Sequence, residues 1–291
     1  MIFFQRILTG LALVFLLNHA ANGQMERRRV PMDPHVDDLF QSPSIIMMSS
    51  VTNIPKGNLN FSIMHSFGIV SDGAPELFGL DGTANIRFGL DYGVLDGLSV
   101  GVGRSRFDKL FDFRAKANLL RQTRDGGLPV EVALKGDVGI TTLQNGYSFS
   151  DRLDFLEALL VARRFSDHLS LQVTPMMSHF NTVLMDPGAS NRIIRDQNNH
   201  YALGIGGRWA LNDRFAIVGE YIPVIGTRTS GTHDTFSLGL NIDTGGHVFQ
   251  LFFTTSQWFT EQHTITNNTE DFFAGNFRVG FNVNRVFGLV H

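Results

Sequence analysis

The chain has 291 residues, 43% of them hydrophobic and 18% charged, with 30 glycines, 26 phenylalanines, no cysteine and a formal charge of -3. It is too apolar and aromatic for a disordered chain and too acidic for a nucleic-acid binder. The lack of cysteine excludes thiolate catalysis, Cys-bound zinc, iron-sulfur clusters and a cysteine-linked lipid anchor.

Residues 1–23 read as a cleaved secretory signal peptide. Arg6 precedes the apolar run Ile7 to Leu17, and Ala20, Ala21, Asn22 and Gly23 give the small-residue end. That run is too short to span a bilayer as a helix, and no later stretch approaches the roughly 18 apolar residues a span requires. The expectation is an exported chain that is either soluble or a membrane β-barrel. Residues 24–43 are expected to form a flexible periplasmic lead, punctuated by Pro31, Pro34 and Pro43, with Arg27, Arg28 and Arg29 as a solvated tail. Residues 44–291 are expected to form the barrel. Ile45 to Val51 remains open between an extra strand, an inner segment and part of the lead.

From there the sequence breaks into segments that alternate apolar and polar with period 2. From Ala84 to Val94, the residues Ala84, Ile86, Phe88, Leu90, Tyr92 and Val94 share one face, while Asn85, Arg87, Gly89 and Asp91 share the other. Phe111 to Leu119 and Val130 to Ile140 repeat the pattern, which specifies strands with one apolar and one polar surface. Twelve such segments begin near Leu59, Ala84, Leu98, Leu110, Pro129, Leu153, Leu169, His200, Arg214, Asp234, His247 and Asp271. The sixth contains DFLEALLVARRF, which would pass as an amphipathic helix in isolation. It is read as a strand because Phe165, Asp167 and Leu169 frame a tight turn into the next alternating run.

The gaps carry an independent signal. Those after even-numbered segments are mostly tight, as at Leu95 to Gly97, Asp167–His168 and Asp243 to Gly246. Those after odd ones are long, as at Ile69 to Thr83, Asn181 to Asn199 and Gln257 to Glu270; only Arg106 to Lys109 breaks the rule. Short turns on one rim and long loops on the other define an outer-membrane barrel with periplasmic turns, whereas a soluble sandwich lacks this alternation and uses shorter strands. The predicted fold is all-β: a single closed antiparallel transmembrane barrel of about 12 strands, within a range of 10–14.

Several strings also look familial: HSFG at His65, ELFGLD at Glu76, FGLDYGVLDGLSVGVGRS at Phe88, TPMMSHFN at Thr174, HYALGIGGRWAL at His200, HVFQLFFTTS at His247 and FRVGFNVNRVF at Phe277. Together, over Ser44 to Phe287, they resemble the outer-membrane β-barrel family catalogued as domain of unknown function 5777. The resemblance implies a barrel in the outer membrane of a two-membrane bacterium. It implies no catalytic or ligand-binding residue.

If the apolar faces meet lipid, the lumen-facing charges are Arg87, Asp91, Asp112, Arg114, Lys116, Glu131, Lys135, Asp137, Glu157, Arg163, Arg208, Glu220 and Arg278. The assignment rests on cost, since a Lys or Arg facing lipid at mid-depth loses about 2–4 kcal/mol. A near-balanced interior of this kind either stays wet and passes small solutes with little ion preference, or pairs completely and closes. The expected function is a narrow diffusion channel or substrate-specific pore for small solutes. The alternative is a closed barrel serving as a scaffold or binding platform through its loops, with the lead or the loops supplying a plug.

No enzyme is expected. There is no G-x-S-x-G elbow, and a lipid-modifying activity using Ser178 or His179 is the weaker reading. A metal site at His179 and His200 with Asp186 or Asp196 is disfavoured, because the two histidines have opposite parity and only a bulge at Pro175 would unite them. No cofactor or metal is expected. The expected partners are outer-membrane lipid and a small solute in the lumen, and no nucleic acid.

Overall fold

The computed structural model describes residues 34–144, 146–183 and 197–289. The expected signal peptide, Arg27 to Arg29, and Asp186 and Asp196 lie outside the described residues.

The wall consists of β1 (Asn58–Ile69), β2 (Asn85–Leu95), β3 (Leu98–Ser105), β4 (Phe111–Leu120), β5 (Glu131–Ile140), β6 (Leu153–Arg164), β7 (Leu169–Phe180), β8 (Asn199–Ala210), β9 (Phe215–Ile222), β10 (Val224–Ile225), β11 (Thr235–Asp243), β12 (His247–Thr254) and β13 (Arg278–Gly288). Each pairs antiparallel with its neighbours. β1 pairs with β13 in the register Leu59 with Phe287 and Met64 with Asn282, and β8 pairs with β9, so the sheet closes on itself. β9 and β10 are one stave interrupted at Pro223, which has no N–H to give the ladder. Leu203 N still donates to Pro223 O at 3.0 Å, and Val224 resumes pairing with Ala202. The protein is therefore a closed twelve-stave transmembrane barrel. β6 shows that the Leu- and Ala-rich segment is a strand, because its alternation fits a wall packed on both sides.

Tight turns join β2 to β3, β6 to β7, β8 to β9 and β11 to β12. In the first and last of these a glycine takes the left-handed conformation, with φ of 82° at Gly97 and 84° at Gly245. Long connections gather at the other end. The last strand begins at Arg278 rather than near Asp271, because Phe272–Ala274 closes as a single 3-10 turn capped by the Asp271 side chain.

The outward positions are apolar and exposed, among them Phe88, Leu90, Phe113, Leu134, Ile205 and Phe253. The inward positions are buried, yet no sheet faces them. Two insertions fill the lumen. The segment before β1 runs up from the short-turn end, turns at Ile45 to Met48 and returns to Pro55. The β12–β13 connection folds in from the long-loop end and carries helix α1 (Glu261–Asn267), buried over almost its whole length.

Candidate functional site

The lower insertion starts on the wall. His35 bridges Thr123, Val36 N donates to Gln122 O at 2.9 Å, and Arg124 reaches Asp37 at 2.8 Å, all at the turn between β4 and β5. Leu39, Phe40, Ile45, Ile46, Met47, Met48, Val51 and Ile54 then become almost wholly buried against inward Leu156, Leu160, Val218 and Ile222. Ile45 to Val51, left open by the sequence, is thus an inner segment. A bridge between Ser44 and Ser49, with Ile45 N donating to Met48 O at 2.8 Å, makes residues 45–48 the tip of a hairpin.

The tip has backbone groups that no sheet satisfies, and buried amides must find partners. Glu220 on β9 supplies them. Its Oε1 accepts from Met47 N at 2.8 Å, and its Oε2 accepts from Met48 N at 3.0 Å and Ile46 N at 3.2 Å. Three successive N–H groups converging on one carboxylate form a nest, and each bond is charge-assisted. The carbonyls are met in the same way, with Gln250 Nε2 donating to Ile45 O at 2.6 Å and Asn282 Nδ2 to Ile46 O at 3.0 Å. Lys116 Nζ donates to Ser50 O at 2.8 Å and Thr52 O at 2.6 Å. Gly204 and Gly206 on β8 leave the room that Met48 and Ile45 occupy, for a Cβ at either would strike those side chains.

Beside the hairpin lies a charge network. Arg87 grips Asp112 through two bonds, Nε to Oδ1 at 2.9 Å and Nη2 to Oδ2 at 2.5 Å. Arg114 bridges Asp112 at 2.6 Å and Asp91 at 2.7 Å. Gly101 and Gly103, on the same inner face, give the guanidinium groups their space. Above the hairpin, Lys135 Nζ meets Glu261 Oε2 at 2.6 Å and Asp137 at 3.6 Å, and Glu261 Oε1 accepts from Ser49 N at 2.9 Å. One glutamate thus ties the upper insertion to both the wall and the lower one. Gln262 donates to Asp154 at 2.9 Å and ties α1 to β6 as well. Among these charges lies a cavity of about 60 Å³, room for a few water molecules.

Of the thirteen charges assigned inward, Arg87, Asp112, Lys116, Glu131, Lys135, Asp137, Glu220 and Arg278 are buried on the inner face. Asp91 and Arg114 stand beside them, and Arg208 shares the inward parity of His200. Glu131 accepts from Asn118 at 2.7 Å, and Arg278 pairs with Glu270 at 3.0 Å near the long loops. Glu157 and Arg163 are corrected: both lie on the outer face of β6 with Phe155, Leu159 and Val161. The inward set of β6 is Asp154, Leu156, Ala158, Leu160 and Ala162, apolar because it packs on the hairpin instead of on water.

His179 faces outward and pairs with Asn199 at 2.6 Å, whereas His200 faces inward and meets Thr229 Oγ1 at 2.9 Å, so the two do not converge. Among the described residues no group of three or more His, Asp or Glu is placed to hold a metal ion. The sequence reading missed Glu261 and α1, since a polar stretch inside a long gap gives no periodicity to read.

A closed antiparallel wall with an apolar outer surface and a polar, charged inner one defines a membrane-embedded β-barrel. The chain belongs to the family described as the membrane bound beta barrel domain, domain of unknown function 5777, whose match covers residues 40–287. No curated protein matches the chain. Among solved structures it is similar in fold to the NanC porin, at 7% identity and a TM-score of 0.51, covering 80% of this chain and 100% of that one. The KdgM porin gives 11% identity and a TM-score of 0.46 over 78% and 98%. Omp33, an outer membrane protein of Acinetobacter baumannii, gives 9% and 0.41 over 79% and 99%.

Proposed function

We propose that the protein is an outer-membrane channel for small polar solutes, held shut at rest by its own residues 39–54 and by α1. Short turns opposite long loops support an outer-membrane setting with the turns on the periplasmic side. The observation that carries the channel reading is how the hairpin tip is held. Its peptide groups are bound by Glu220, Gln250, Asn282 and Lys116, side chains that water satisfies equally well once the hairpin leaves. A lumen meant to stay filled needs no such lining, because a well-packed apolar interior is at least as stable as buried charge. The near balance of acid and base along the wall suits passage with little ion preference. The small size of the remaining cavity favours the second reading, a permanently closed scaffold acting through its loops.

The absence of native cysteine makes the test clean. Met48→Cys with Gly204→Cys places one thiol on the hairpin tip and one on the wall where the two touch. Refolded into planar bilayers, the cross-linked protein is expected to be silent, and reductant should release stepwise conductance. Silence in both states, with the barrel folded, would establish the scaffold instead.

A further inference from the structure

Between Ile45 and Thr52 the hairpin backbone bonds little to itself: Ile45 N reaches Met48 O, and Ser50 N reaches Pro43 O at 2.9 Å. The barrel wall supplies most of the other partners. Gln172 on β7 takes both groups of one stretch, its Nε2 donating to Ser49 O at 2.8 Å and its Oε1 accepting from Val51 N at 2.9 Å. A carbonyl and the N–H two residues further on are what a neighbouring parallel strand engages, so this one amide stands in for a strand. Asn118 Nδ2 donates to Val51 O at 3.2 Å. Together with Gln250 and Asn282 on the carbonyls of Ile45 and Ile46, Lys116 on those of Ser50 and Thr52, and Glu220 on the tip, side chains of β4, β7, β9, β12 and β13 read the main chain.

Sealing alone does not call for this arrangement. A buried segment satisfies its backbone most simply within itself, as the helical bonds of α1 do in the same lumen. The groups on the wall also match a free peptide. Three N–H groups converge on Glu220, which is what the α-ammonium of a peptide presents. Lys116 meets the hairpin further along in the N-to-C direction, where a terminal carboxylate would follow. The hairpin's own side chains lie against apolar wall, with Leu156, Leu160, Val218 and Ile222 around them and open space at Gly204 and Gly206. A sugar presents hydroxyls on every side and has neither the aliphatic branches nor the regular alternation of N–H and C=O that these groups meet.

We propose that the lumen wall is a binding site for short peptides with aliphatic side chains, and that the hairpin is a tethered mimic of that solute. The peptide's ammonium meets Glu220, its carboxylate meets Lys116, and Gln172, Gln250 and Asn282 hold its peptide groups. This inference rests on the channel reading, because the site is vacated only when the hairpin leaves, and it narrows the solute to one chemical class.

The test loosens the hairpin and leaves the wall intact. Met48→Asp and, independently, Ile46→Asp each bury a carboxylate at the tip beside that of Glu220 and should expel it. In planar bilayers the full-length variants are expected to conduct, with the barrel shown to be folded by its heat-dependent gel shift. A tetrapeptide copying Ile45 to Met48 with free termini should then block the current with a residence about tenfold longer than that of maltotriose, a sugar of similar mass. Acetylating the amine of the probe, or adding Gln172→Leu to the variant, should each shorten the peptide's residence while the open conductance persists. Equal residence of peptide and sugar in a conducting barrel, or a peptide residence unmoved by Gln172→Leu, would overturn the peptide assignment and leave the channel standing. Silence of both folded variants would overturn the channel reading and this inference with it.

Discussion

Replacing Glu220 with Gln perturbs the hairpin clamp with almost no change in volume. The amide keeps one oxygen, which can serve Ile46 and Met48 from the position of Oε2, but it then turns an NH2 group toward the Met47 N–H now 2.8 Å from Oε1. One charge-assisted bond is lost, at about 1.5–3 kcal/mol, and a buried donor is left facing another donor, while the two remaining bonds weaken without the charge. A net loss of about 3 kcal/mol from the closed state is the reasonable total, which shifts the closed-to-open ratio by roughly a hundredfold. Open probability in planar bilayers should rise by that order, and amide exchange over residues 45–51 should speed up in parallel. Exchange and open probability both unchanged in a correctly folded Glu220→Gln barrel would refute the claim that this carboxylate holds the plug.

Lys135→Met should free α1, since it leaves Glu261 buried without its cation at a cost of about 3–5 kcal/mol, and exchange over residues 258–267 reads the release. Adding Glu261→Met should recover much of that loss; a double variant as labile as the single would show that the pair does not act as a unit. Arg87→Met removes the two-bond grip on Asp112, which is fully buried and keeps only Arg114. The temperature of the heat-dependent gel shift should fall, with a loss of about 3 kcal/mol, and an unaltered transition would count against the network as a stabiliser of the wall.

The wall was legible because its physics is repetitive. Alternation in stretches such as Ala84 to Val94 and Val130 to Ile140 marks strands whatever lies inside, and the short and long gaps follow from antiparallel closure. The inner surface was legible only where it is polar. On β2, β4 and β5, arginine, lysine and aspartate oppose phenylalanine and valine, so parity assigns the faces directly. On β6 the same rule places Glu157 and Arg163 inward, because Leu156 and Leu160 look like lipid-facing residues while they pack on Phe40 and its neighbours. Apolarity reports burial, and here two different burials compete. The hairpin and α1 were obscure for the converse reason. Ile45 to Val51 is short and apolar, which suits several environments, and α1 is polar yet buried, because the lumen it enters is itself polar. Inward glycines, Gly101 and Gly103 beside the arginines and Gly204 and Gly206 beside the hairpin tip, are a readable trace of the crowding inside.

The hairpin is anchored to the barrel on both sides. Its first arm leaves the turn at Thr123, and its second passes through Gly57, whose N donates to Gly93 O at 2.8 Å, directly into β1. On the channel reading, a stopper leashed at both ends would not drift away, so it would face its socket at a fixed, high effective concentration however dilute the protein becomes. Re-closure would then be a first-order event, with a rate set by the leash and indifferent to how many barrels crowd the membrane. A free peptide copying Ile45 to Met48 would have to outcompete that local supply, and such a gate would be hard to poison from solution.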